Sequence, residues 1–252
     1  MNGDSRIRAS GVPPGPVLFS GTGAVDASDG LFGICAELFP GRSVYGAAAN
    51  WLIHLHGAAF TSWILVLIAQ TSLVAANRVD VHRKLGLAGF GLACLMVVLG
   101  ISASTDSLRR SFGAGVTAAG VMDPKTFYII PLTDMLVFGT LVFLAFRARS
   151  NPPAHKRLIL VATTALTLAA VARWPIEFIQ HHPLWVAELC TYGFLALLLA
   201  YDVYSTRKVP RVTIWASAFL IAVQRVRVPL GETASWHAFA TWAQNLAKTI
   251  HG

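Results

Sequence analysis

The feature that most constrains this chain is a series of apolar stretches, each close to the length of a bilayer. About 20 consecutive apolar residues carry a helix across roughly 30 Å of hydrocarbon. Six segments reach or approach that length: 47–76, 85–104, 128–146, 158–171, 184–201 and 212–229. Lipid offers the backbone no hydrogen-bond partner, so helices are the spanning element to expect. Composition agrees: 55% of the residues are hydrophobic and 13% charged, against about 25% charged in an average soluble domain. The expected fold is all-α, a polytopic membrane helix bundle of about six transmembrane helices. The formal net charge of +8 does not point to nucleic acid. The basic residues flank apolar runs, as topology determinants do, and form no stripe interleaved with aromatics.

Three regions follow. Residues 1–45 are a polar, Gly-, Pro- and Ser-rich N-terminal tail, expected to be partly disordered. The tail has no basic stretch followed by an apolar one, so it does not read as a cleavable signal peptide. Residues 46–230 form the transmembrane domain, whose fourth segment is the weakest. It is long enough only if His155 to Arg157 join it at one end and it continues past Pro175 at the other. In residues 231–252, Trp236, Phe239, Ala243, Leu246 and Ile250 recur every three or four positions, the pattern of an amphipathic interfacial helix.

Orientation comes from the short loops. Arg78, Arg83 and Lys84 follow the first segment, Arg147, Arg149, Lys156 and Arg157 the third, and Arg207, Lys208 and Arg211 the fifth. By the positive-inside rule these are cytoplasmic, which puts both termini outside the cytoplasm, in a bacterial inner (plasma) membrane. Cys94 and Cys190 lie within apolar segments and read as packing residues, and Cys35 is alone in the tail.

Ionisable side chains inside apolar segments are costly in lipid and are therefore the first candidates for a site. The second and fourth helices open alike, with His82-Arg-Lys-Leu and His155-Lys-Arg-Leu. One reading is simple anchoring by basic residues that reach the lipid phosphates; the other has His82 and His155 facing each other as ligands of a metal or haem. On the first helix His54 and His56 point about 200° apart and serve different neighbours. His56, Trp63 and Gln70 recur every seven residues, a stripe expected to face the bundle interior. An outer polar group comprises Asp134, Arg173, Glu177, His181, His182, Glu188, Gln224, Arg225 and Arg227. Asp134 or Glu188 would pair there with Arg173 or Arg225, either for packing alone or around a functional cavity.

No Cys-x-x-Cys, His-Glu-x-x-His, covalent-haem or P-loop motif is present. Gly86, Gly89 and Gly91 read as small residues that let helices approach. The His-x-His-Gly of helix one, His82-Arg-Lys-Leu-Gly, Pro153-Ala-His155-Lys-Arg-Leu and Ala172-Arg173-Trp-Pro together resemble a group of uncharacterised bacterial multi-helix membrane proteins. That resemblance implies architecture and no activity. The placing of histidines near opposite faces is also similar in layout to transmembrane di-haem b-type cytochromes.

Three functions are compatible with the residues. The leading one is electron transfer by b-type haem, with His56 and His182 (or His181) as outer cofactor ligands and His82 and His155 as inner ones. A second is a metal-dependent enzyme at the outer leaflet, with a metal on His56 and His182 and with Asp134, Arg173 and Glu188 as catalytic groups. Its substrate would be a quinone or other lipid-soluble small molecule. A third is a noncatalytic membrane subunit or assembly factor.

Overall fold

The computed structural model describes residues 51–110, 116–117, 120–171 and 183–251. The N-terminal tail, Cys35, Arg173, Glu177, His181 and His182 lie outside the described residues. Seven described helices follow in order: α1 Trp51–Ala75, α2 Val79–Arg109, α3 Pro124–Arg147, α4 Pro152–Val171, α5 Pro183–Thr206, α6 Arg211–Gly231 and α7 Ala234–His251. Between α2 and α3 a two-residue antiparallel ladder pairs Val116 with Val121 and Thr117 with Gly120. The fold is an all-α bundle, and α1 to α5 are each long and apolar enough to cross a membrane.

Local sequence sets the helix ends. Asp123 caps α3, its carboxylate accepting from the backbone N–H of Lys125 at 2.8 Å and of Thr126 at 3.4 Å, with Pro124 in the first turn. The Asn151 side chain accepts from the Ala154 N–H at 3.3 Å ahead of α4. That helix does take in His155 to Arg157, as the fourth segment requires. Asn77 turns the α1–α2 connection with φ of 57°, a left-handed conformation that asparagine tolerates better than most residues.

Helix α3 is the centre, packed against α2, α4, α6 and α7, while α1 leans on α2 and α5 on α4. The core runs through Met96, Phe138, Leu141, Val161, Ala165 and Leu220, all essentially inaccessible. Gly100 lets α2 cross α3 closely, because a Cβ there would run into the Met135 side chain. Gly86 and Gly89 face Gln70 and Val66 of α1, as small residues at a helix contact should, whereas Gly91 faces open space. Cys190 is half-buried, but Cys94 is exposed on the outer surface of α2 and does not pack in the bundle.

The sixth segment forms a 21-residue helix, α6, about 31 Å long, yet it is less apolar than α1 to α5. The reason is the way it is turned. Thr213, Ser217, Gln224 and Arg227 are buried on one stripe, while Ile214, Trp215, Val226 and Leu230 are exposed on the other. Its polar groups face the bundle and its large apolar groups face outward, the orientation a lipid-facing helix needs.

Helix α7 does not simply lie beside the bundle. The Trp236 indole donates to the Lys125 carbonyl at 2.7 Å and the Gln244 amide to the Leu108 carbonyl at 2.8 Å. Ala240, Ala243 and Ala247 are the face pressed on the protein, and Phe239, Trp242 and Leu246 remain exposed. Of the positions that mark it as amphipathic, Phe239 and Leu246 therefore serve the surroundings, because only alanine is small enough to bring this helix against α2 and α3.

Replacing Gly100 by leucine should cost about 1–3 kcal/mol through overpacking. Gly91→Leu should be close to neutral, since nothing lies within 4 Å of its would-be Cβ. Thermal unfolding in detergent checks the pair, and equal losses at both positions would contradict the assigned crossing.

Candidate functional site

The first turns of α2 and α4 come together at the end of the bundle opposite α7. Two hairpins that return to the same side bring their opening residues face to face. His82 and His155 stand perpendicular to each other with ring centroids 6.5 Å apart. They line a cavity of about 810 Å³ between α1, α2, α3 and α4, a volume in the range of small-molecule sites. Its walls are apolar, with Trp63, Val66, Leu67, Phe90, Val142 and Phe146 among them. Val74 and Leu87 on its lining are exposed at 50% and 65%, so it opens on the apolar flank of the bundle. Exposed Arg83 and Arg149 also line it. Arg149 sits over the Phe146 ring at 4.7 Å, and Phe146 stacks on Phe90 at 4.2 Å.

Each histidine is held by its Nδ1. His155 Nδ1 lies 2.8 Å from the Ala145 carbonyl oxygen, which only accepts, so this nitrogen carries the proton. Gln70 reaches from α1 to a single turn of α2. One orientation of its amide satisfies every group there: the oxygen accepts from the Gly86 N–H at 2.8 Å, and the nitrogen donates to the His82 carbonyl at 3.2 Å and to His82 Nδ1 at 2.6 Å. The stripe on α1 faces inward as its period requires. Trp63 is buried, donates to the Thr163 hydroxyl at 3.2 Å and meets the Phe138 ring edge-on at 5.1 Å.

His56 lies at the other end of that stripe, against Phe60 at 4.2 Å. It shares a small cavity of about 100 Å³ with Ser104, Ser107, Arg110 and Asp134. Helix α6 supplies the outer partners. Arg227 donates to Asp134 at 2.7 Å with both side chains buried, and Arg225 meets Glu188 at 3.1 Å while lying over the Tyr192 ring. The Glu188–Arg225 pair is one that the sequence suggests. Of the two arginines of α6, Asp134 meets Arg227 and not Arg225, because Arg227 falls on the buried stripe of α6 and Arg225 on its exposed side; the pairing of Asp134 with Arg173 lies outside the described residues. Arg173 and His182 fall outside the described residues, and with them the expected outer ligand pair His56–His182. Among the described residues no group of three or more His, Cys, Asp or Glu side chains could hold a metal ion.

Sequence reasoning missed a third polar centre. Arg157 is buried, its Nη2 2.6 Å and its Nε 3.1 Å from Asp202 Oδ1, while its Nη1 donates to the Pro153 carbonyl at 2.6 Å. Thr213 of α6 donates to the other Asp202 oxygen at 2.7 Å. Arg157 is thus neutralised inside the bundle and is not one of the solvated bases of its loop. The one available signal was an aspartate, Asp202, at the end of a long apolar run of that helix.

No family model, curated protein or solved structure matches the chain.

Removing the Asp134 carboxylate leaves the buried Arg227 guanidinium without its acceptor, and removing Arg227 takes from Asp134 a buried charge-assisted hydrogen bond. Asp134→Leu or Arg227→Leu alone should lower stability by about 3–5 kcal/mol, and the double change should recover most of the loss. A double-mutant cycle by thermal unfolding in detergent measures this. Additive losses would show that the two act independently.

Proposed function

We propose that this multi-pass membrane protein binds a lipid-soluble small molecule in the cavity between α1 and α4 and takes part in redox chemistry within the membrane. The observation that carries the reading is the joining of two facing imidazoles, 6.5 Å apart, to an apolar cavity open on the flank of the bundle. A ligand dissolved in the bilayer reaches such a cavity sideways. Its hydrocarbon part replaces lipid contacts with Val66, Leu67, Phe90 and Phe146, and its polar end meets His82 and His155. A quinone is the partner class this suits.

We place the His82–His155 end at the cytoplasmic face of a bacterial inner membrane, with both termini outside. Arg78, Arg83, Lys84, Arg147, Arg149, Lys156, Arg207, Lys208 and Arg211 are all exposed at that end. At the α7 end Arg109 and Arg110 are tied to Asp106, and Arg225 and Arg227 to Glu188 and Asp134. The loss of Arg157 from the solvated set leaves this asymmetry intact.

A second reading, b-type haem, is favoured by the ring spacing. Metal–imidazole bonds are about 2 Å long, so two rings 6.5 Å apart are near the separation one metal between them imposes. The Ala145 carbonyl holds His155 as backbone carbonyls hold ligating histidines, with Nε2 free to bind. His82 fits less well, because the Gln70 amide on Nδ1 leaves the proton on Nε2.

Protein purified in mild detergent should be colourless and should release a lipophilic compound on solvent extraction. His82→Phe with His155→Phe should reduce the yield of that compound severalfold. A Soret band lost with either histidine would replace this reading by the haem one. A preparation with neither pigment nor lipophile would overturn both.

A further inference from the structure

We infer that the cavity selects a ring whose oxygen interconverts between an accepting carbonyl and a donating hydroxyl, the 1,4-quinone and hydroquinone class, and that Gln70 is the residue that sets this selectivity. The inference rests on the cavity being a site for a lipid-soluble molecule.

A neutral imidazole has one N–H and one lone pair, and whatever fixes Nδ1 decides what Nε2 offers. The Ala145 carbonyl puts the His155 proton on Nδ1, so its Nε2 is a lone pair. The Gln70 amide nitrogen makes His82 Nδ1 an acceptor, so the His82 Nε2 carries the proton. Among the described residues neither Nε2 has a hydrogen-bond partner, and both rings line the cavity. Two imidazoles in opposite tautomers therefore line one space, one with a donor at Nε2 and the other with an acceptor.

That pairing discriminates. A single metal needs two lone pairs, and a carboxylate needs two donors. A carbonyl oxygen takes the His82 N–H, and a hydroxyl gives its hydrogen bond to His155 Nε2. A ring that interconverts between carbonyl and hydroxyl keeps one good hydrogen bond in either form. Gln70 is a positioning residue in this scheme. Its grip on the His82 carbonyl and on the Gly86 N–H fixes which way the amide points, and so which tautomer His82 adopts. A carboxylate in its place would accept from Nδ1, move the proton there and expose a second lone pair to the cavity.

The test is equilibrium binding to the full-length protein in detergent of three probes: a decyl-substituted 1,4-benzoquinone, its quinol, and decylbenzene. The wild type should bind the quinone and the quinol at least about tenfold more tightly than decylbenzene, the worth of one good hydrogen bond in a dry site. His82→Phe should lose chiefly quinone affinity and His155→Phe chiefly quinol affinity. Gln70→Glu should weaken the quinone about tenfold and bind Zn²⁺ that the wild type does not, with its melting temperature unchanged within a few degrees. If Gln70→Glu does not fold, Gln70→Met serves, and should lose the discrimination between quinone and decylbenzene. Decylbenzene binding as tightly as the quinone to the wild type would overturn the inference and leave the lipophilic cavity standing. No binding of any probe would overturn both. Unchanged quinone and Zn²⁺ affinities in the Gln70 variant would remove its assigned role.

Discussion

A buried charge in lipid has no solvent to fall back on, and that constraint organises this bundle. Helix α6 shows it most plainly. Thr213 at one end joins the Arg157–Asp202 pair, and Arg227 at the other meets Asp134. The two anchor points are 14 residues apart on the helix, about 21 Å along its axis. Between them the buried stripe of α6 can face only α3 and α4. Such pairs add little stability over an apolar core, but a wrongly turned helix would strand charges at a cost of about 3–5 kcal/mol each. They fix rotation and register more than they bind the helices together.

The position of the candidate site follows from this. With α3 and α4 locked by α6 and with α5 on the far side, the α1–α2 hairpin packs on α3 through Gly100 and Trp63. Toward the α2 N-terminus the packing between hairpins gives way to the cavity. The polar atoms there are few, and each is directed by a neighbour: His155 by a backbone carbonyl, His82 by Gln70. Both histidines sit on the first turns of regular helices, so rigid elements position them.

Much of this was legible in the sequence, for physical reasons that differ from residue to residue. The spans are visible because hydrocarbon thickness sets a length. His82 and His155 can be expected to meet because two hairpins return to one side, and the inward stripe of α1 because its period is seven. Partner identities were legible only in part: Glu188 with Arg225 could be expected, others could not. Between the two arginines of α6, only the rotation of that helix brings Arg227 to Asp134 and leaves Arg225 to Glu188. Arg157 looks like a loop base because its partner, Asp202, lies 45 positions away on another helix. The packed face of α7 was obscured because hydropathy weights Phe239 and Leu246 above the alanines that make the contact. The period of α1 puts Gln70 on the interior stripe, but its grip on His82 depends on how α1 and α2 cross, which no pattern within either helix encodes.

The central claim, that the His82–His155 cavity takes its ligand from the bilayer, is tested most directly by photolabelling membranes with a diazirine-bearing alkyl probe and mapping the modified residues. The account predicts labelling concentrated on the cavity walls, Val66 to Val74 and Gly86 to Phe90. Filling the cavity with Gly86→Phe should suppress it, while labelling of the exposed surface of α5 persists. Equal labelling of cavity and outer surface, unaffected by Gly86→Phe, would contradict it.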